Sequence, residues 1–245
     1  SPWLELQRIV WEKDVQLIAD CHAMRDKMLE TSADAQLACE LKSFGKVSQP
    51  MGVHSLGLMD EFPEDWAPNF QPELDLKIYP ELMCMKATVA MGGFIAQLHQ
   101  VCPPEDTRFK LLVGPVKKPA RIAVKVLEYK LENNSDPTEW PFACKVGDVL
   151  RVTIVALDGD SLYLAVQRVF NVFDLREGNG RFKNLLANNK HMPPRLLVNV
   201  VVRSPGCQPM QAEIQIYLAG IKRLADLQVE RSRRVLVLSV NPPLS

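Results

Sequence analysis

The chain has 245 residues, 47% of them hydrophobic and 24% charged, which suits one large domain with a substantial core that folds in water. Its 29 basic residues balance 29 acidic ones, so no overall field points to a nucleic acid or an anionic membrane as partner, and any basic site has to be local. No apolar run reaches bilayer-spanning length and no charged-then-apolar leader opens the chain, so no membrane association and an intracellular, cytoplasmic location are expected. The first residue is Ser1 instead of Met, as in an excised domain or a processed chain, which leaves a removed organelle-targeting peptide open.

From Trp3 to Leu29 the apolar residues Leu6, Val10, Leu17, Cys21, Met24 and Met28 recur at helical spacing among charges, predicting a long amphipathic helix. Ser32 is placed to cap a second, short helix through "ADAQLACELK" that stops before Gly45. Together these form an N-terminal helical segment, 1–44. Residues 45–75 are punctuated by Pro50, Pro63, Pro68 and Pro72 around the acidic "MDEFPEDW", and read as a linker or loop. Its Phe62, Trp66 and Phe70 are expected to lie on the domain. Its acidic run lacks calcium-loop spacing and reads as solvated surface.

The main domain is expected over 76–245. A helix from Tyr79 to Gln100 carries Pro80 in its first turn, and Gly92-Gly93 inside it marks either close packing or a break. Thereafter strands and helices alternate: "LLV" as a strand, "PARIAVKVLEYKLEN" as a helix ending at "NNSDP", "DVLRVTIVAL" as a strand, and "DGDSLYLAVQRV" as a helix capped by Asp158 or Asp160. "FNVFDLRE" reads as another strand closed by the turn "GNG". "RLLVNVVV" and "AEIQIYL" read as an antiparallel hairpin, and "AGIKRLADLQVERSRR" as the last helix. The expected fold is α+β: a mixed, largely antiparallel sheet of about five strands flanked by helices, with an N-terminal helical extension. The six cysteines, Cys21, Cys39, Cys84, Cys102, Cys144 and Cys207, show no CxxC pair and no zinc-ligand spacing, so reduced structural thiols are expected.

Three stretches carry chemistry. In "GPVKKPARIAVKV", Lys117, Arg121 and Lys125 form a basic ladder at a helix N-terminus, either a polyphosphate site or a solvated helix face. In "DVLRVTIV", Asp148 enters an apolar strand and Arg151 sits inside it, where a charge needs a partner. A plainer reading has Asp148 capping a turn and Arg151 bonding a neighbouring carboxylate. In "QAEIQIYL", period-2 alternation puts Ala212, Ile214, Ile216 and Leu218 on a core face and Glu213, Gln215 and Tyr217 on the other. That polar face is either part of a site or the wet side of an edge strand. Asp148 and Glu213 together suit a divalent metal of the kind phosphoryl transfer uses.

In this order, "GPVKKPARIAVKV", "DVLRVTIV", "GNGRFKN" and "VNVVVRSPGCQPMQAEIQI" resemble the RelA/SpoT-like nucleotidyltransferase domain of the (p)ppGpp synthetase family, over roughly 78–227. The resemblance implies transfer of pyrophosphate from ATP to the 3′-hydroxyl of GDP or GTP with Mg²⁺. It implies that Lys117, Arg121 and Lys125 bind donor phosphates, with Arg151 among the phosphate-facing cations, and that Asp148 and Glu213 hold the metal. Glu213 and Gln215 are the implied catalytic pair, and Arg181 and Lys183 flank the acceptor phosphates. The chain departs from the family where it reads "KHMPPRLLVNV": Pro193 or Pro194 occupies the place of the Gly-Tyr that stacks on the guanine, with His191 or Tyr217 as conceivable substitutes. Val152 and Tyr217 stand where the family has Gly and His or Arg. The alternative is a catalytically degenerate relative acting as a nucleotide-sensing or protein-interaction module. No histidine precedes an aspartate, so the His-Asp pair of the alarmone hydrolase is absent, and no GxxxxGK loop is present.

Overall fold

In the computed structural model, residues 2–45, 72–132, 141–175, 180–186, 192–205 and 209–240 are described, with backbone alone at 2–4, 6–7 and 231–240. The β-branched run Val152 to Val155 lies in β2 (Leu150–Ala156), which pairs antiparallel with β1 (Phe109–Val113) and parallel with β5 (Met210–Leu218). β5 pairs antiparallel with β4 (Leu196–Val202), and β4 with β3 (Gly180–Asn184), giving the order β1-β2-β5-β4-β3. This is the expected mixed, largely antiparallel sheet of five strands, and the hairpin of the last two strands forms as read.

One face of the sheet is core. Val152, Ile154, Val198, Val200, Ile214 and Ile216 are buried there in one cluster with Phe94 and Leu98 of α3 (Tyr79–Val101) and Leu162 and Val169 of α5 (Gly159–Val172). Each such side chain stabilises the fold by about 1.5–3 kcal/mol. α3 follows a π-helical turn, Leu74–Ile78, so the end of the expected loop is helical; the rest of it, with Phe62, Trp66 and Phe70, lies outside the described residues. α3 passes unbroken through Gly92-Gly93, and of the two Gly93 marks close packing, since a Cβ there would lie 2.1 Å from Ser204 Oγ while one on Gly92 would meet nothing within 4 Å.

One strand is displaced from its expected place. "FNVFDLRE" is not a strand: α5 continues to Val172, because Leu162, Val166, Val169 and Phe173 fall on one helical stripe that the sheet buries. Asp158 caps this helix by accepting from the Ser161 N–H at 2.9 Å, while Asp160 accepts from the Ser32 hydroxyl at 2.6 Å. The third strand is instead Gly180–Asn184, with Arg181 and Lys183 exposed on either side of buried Phe182.

The N-terminal segment is tied to this edge. α1 (Pro2–Thr31) packs along α6 (Ala219–Val240), and Arg25 of α1 donates to the Leu186 carbonyl at 2.7 Å. α2 (Ala33–Glu40) is capped by the Ser32 hydroxyl oxygen, which accepts from the Ala35 N–H at 3.0 Å. At its other end the Asn184 amide donates to the carbonyls of Ala38, Cys39 and Leu41 at 2.9, 3.1 and 3.0 Å. Phe44 then bridges Phe182 through two backbone hydrogen bonds of 2.9 Å. Among the described residues five cysteines are free thiols, and burial pushes Cys21 up to about 11 and Cys102 up to about 12, which keeps both as unreactive thiols. No described helix is long and apolar enough to cross a membrane.

Candidate functional site

Asp148 is not in a strand. It sits in the turn two residues before β2, and the chain brings two lysines to it from different directions. After β1 the backbone keeps alongside β2, with the Gly114 N–H donating to the Arg151 carbonyl and the Lys117 N–H to the Val149 carbonyl, both at 3.0 Å. α4 (Pro119–Glu132) then turns Lys125 back toward the same carboxylate. Asp148 Oδ2 accepts from Lys117 Nζ at 2.5 Å and from Lys125 Nζ at 2.9 Å. Burial alone would raise the Asp148 carboxyl, but the two ammonium groups outweigh it and hold it below the usual carboxylate range. Burial lowers Lys117 despite Asp148, whereas for Lys125 the bond to Asp148 overcomes burial and raises it. Asp148 Oδ1 is buried and has no hydrogen-bond partner among the described residues.

The polar face of β5 completes the site. β5 is the central strand, with β2 and β4 on its two sides, so its Glu-Gln-Tyr face is not the wet side of an edge strand. Register fixes its neighbours: Arg151 of β2 and Asn199 of β4 flank Glu213, and Arg181 of β3 lies beyond Asn199 in the same row. One row further along stand Thr153, Gln215, Leu197 and Lys183. Gln215 donates its amide to Glu213 Oε1 at 2.7 Å. Tyr217 is buried beneath two cations, with the Arg195 guanidinium 6.0 Å and the Lys222 ammonium 5.9 Å from its ring centre.

A pocket of about 150 Å³ brings together Lys125, Asp148, Arg181, Lys183 and Glu213 of the expected site residues. Lys117 joins it through Asp148, and Gln215 through Glu213. Arg121 and Arg151 are exposed and do not line it, so the basic ladder read along α4 reaches the pocket with Lys125 alone, and Arg151 in its strand faces outward and needs no buried partner. Four further polar residues line it that the sequence reading did not assign: Tyr129, Lys145, Asn199 and Gln211. Tyr129 is one helical turn past Lys125, and Gln211 is two residues before Glu213 on the same strand face, so periodicity alone could have found both. Lys145 depends on the short 3-10 helix Phe142–Lys145, and Asn199 on strand register. Four cations, Lys125, Lys145, Arg181 and Lys183, face two carboxylates here, a balance suited to an anion.

Among the described residues no group of three or more His, Cys, Asp or Glu side chains is placed to hold a metal ion. Mg²⁺ needs less protein than that: one or two carboxylates, with waters and substrate phosphates filling its octahedron. Asp148 and Glu213 lining one pocket fit such a donor set, and the unpartnered Asp148 Oδ1 is the oxygen the lysines leave available.

No family model and no curated protein matches this chain. Among solved structures it resembles small alarmone synthetases. Small alarmone synthetase 1 of Bacillus subtilis, bound to its product pppGpp, is 14% identical over 66% of this chain and 92% of that one, with a TM-score of 0.36. The same enzyme bound to AMPCPP is 10% identical over 69% and 96%, with a TM-score of 0.29. Small alarmone synthetase 2 of Bacillus subtilis is 15% identical over 67% and 82%, with a TM-score of 0.34. Superpositions this loose assign no role to any residue here.

Proposed function

We propose that this chain is a divergent RelA/SpoT-like domain that binds nucleotide polyphosphates in the pocket of Lys125, Asp148 and Glu213. In this reading it transfers a pyrophosphoryl group from ATP to the 3′-hydroxyl of GDP or GTP. The observation that carries it is that five residues singled out on four sequence stretches, three cations and two carboxylates, line one pocket. Lys117 and Lys125 would neutralise donor phosphates, and Arg181 and Lys183 those of the acceptor. Asp148 and Glu213 would hold Mg²⁺, which supplies charge neutralisation for the phosphates when bound. Glu213, fixed by Gln215, would take the proton of the acceptor hydroxyl as its oxygen attacks the β-phosphorus of ATP and AMP leaves.

A second reading is a nucleotide-sensing or protein-interaction module without turnover. It is favoured by the closed Lys117–Asp148–Lys125 cluster, which already spends the carboxylate on its own lysines, and by the small volume of the pocket. Incubation with ATP labelled in its β- and γ-phosphates, Mg²⁺ and GDP separates the two. Labelled guanosine tetraphosphate, lost in Glu213→Gln, supports transfer. Saturable ATP binding with no labelled product supports the sensor.

A further inference from the structure

Asn199 stands on the row of the open sheet face between Arg181 and Glu213, paired directly with each across its neighbouring strands. It is only 5% exposed, yet it lines the pocket, and its side chain makes no hydrogen bond among the described residues. Its Nδ2 lies against Gly147, where a Cβ would come within 3.2 Å of it, so the amide is held next to the turn that carries Asp148. The amide makes no bond among the described residues and opens on the pocket, so a ligand seated there would meet both its donors and its acceptor.

The chemistry along the row separates by type. Arg181 is a cation, suited to phosphate; Glu213 is a carboxylate, suited to a hydroxyl proton; Asn199 between them is neutral and carries both donor and acceptor. A sugar hydroxyl is likewise donor and acceptor at once, so a neutral amide matches it better than it matches a phosphate. We infer that Asn199 binds the ribose hydroxyls of the acceptor nucleotide and makes the site selective for ribonucleotides over 2′-deoxyribonucleotides. The inference rests on the nucleotide-binding reading and deepens it, since that reading assigns Glu213 to the 3′-hydroxyl and leaves the 2′-hydroxyl without a partner. The 2′-hydroxyl is the feature by which a protein distinguishes the two sugars, and a pocket built to bond a hydroxyl rejects the analogue lacking it, because its own buried polar group is then left unpaired.

The test is calorimetric titration of GDP and of 2′-deoxy-GDP into the full chain and into Asn199→Leu, with thermal melting of both proteins. Wild type is expected to bind GDP roughly tenfold more tightly than 2′-deoxy-GDP. Asn199→Leu is expected to lose that preference by weakening for GDP alone, with a melting temperature within a few degrees of wild type, because the amide it replaces makes no hydrogen bond within the described residues. Equal affinity of wild type for the two nucleotides, or an equal loss for both in Asn199→Leu, overturns the role of Asn199 while leaving the nucleotide reading intact. Binding of neither nucleotide by wild type overturns both.

Discussion

Lys117 Nζ and Asp148 Oδ2 meet at 2.5 Å although 31 residues separate them, and Lys125 shares the same oxygen from the next helix. Three charges so placed and largely removed from water form one electrostatic unit. Breaking a buried ion pair from one side leaves the other charge uncompensated, which is why such clusters are sensitive to single substitutions. Asp148→Asn is therefore expected to destabilise the fold by about 3 kcal/mol, read as a lower urea midpoint at pH 7.

The same cluster sets a pH dependence with a definite sign. The lysines depress the folded pKa of Asp148, so its stabilisation is complete above the unfolded value, near pH 4, and fades as pH falls through the lower folded value. Wild type is expected to lose more stability between pH 7 and pH 3 than Asp148→Asn does. Urea midpoints of both proteins at the two pH values check this, and parallel losses would deny Asp148 the role.

Lys125 and Arg121 test which end of the basic helix faces the ligand. Both lie on α4, but Lys125 lines the pocket and Arg121 is exposed outside it. Lys125→Ala is expected to weaken inorganic triphosphate binding roughly tenfold, the worth of one charge-assisted hydrogen bond, and Arg121→Ala less than twofold. Calorimetry at one fixed ionic strength makes the comparison, since surface charges act at a distance in low salt.

Gly45 holds the N-terminal segment against the sheet edge. Its φ of 77° lies in the left-handed region, and a Cβ there would stand 2.4 Å from the Gly180 carbonyl oxygen. Gly45→Ala is expected to cost about 1–3 kcal/mol and to lower the melting temperature, while leaving triphosphate affinity within twofold because Gly45 is not part of the pocket. An unchanged melting temperature would mean that this edge contact contributes little to the fold.

Glu213 separates chemistry from stability. It is half-buried and accepts one hydrogen bond from Gln215, which a glutamine in its place can preserve. Glu213→Gln is expected to keep the melting temperature within a few degrees and to lower transfer at least a hundredfold, the scale of a lost general base. Parallel melts and transfer assays decide it.

The sequence was most legible where a single face is buried. Long stripes such as that of α3, and the alternation of "AEIQIYL", fix element type because one register alone hides the apolar set. Legibility failed at α5, where Phe170 and Val172 favour a strand by composition but continue a helical stripe that tertiary packing rewards. It failed again at β3, where Phe182 is the one buried apolar side chain and the other buried residue is Gly180, which leaves no apolar pattern to read. In the site, charged residues were found because their types are conspicuous, but their convergence was not: Arg121 and Lys125 share a helix, yet only the packing of α4 decides which meets Asp148. Asn199 was hidden for a related reason, since its place beside Glu213 exists only once β4 and β5 are paired in register.

The most direct test is calorimetric titration of a non-hydrolysable ATP analogue, with Mg²⁺, into wild type and Lys125→Ala. Saturable binding by wild type, weakened roughly tenfold in Lys125→Ala at a temperature where melting shows both proteins folded, is the expected result. No binding by wild type, or equal affinity in the two proteins, would contradict a polyphosphate site at Lys125, Asp148 and Glu213.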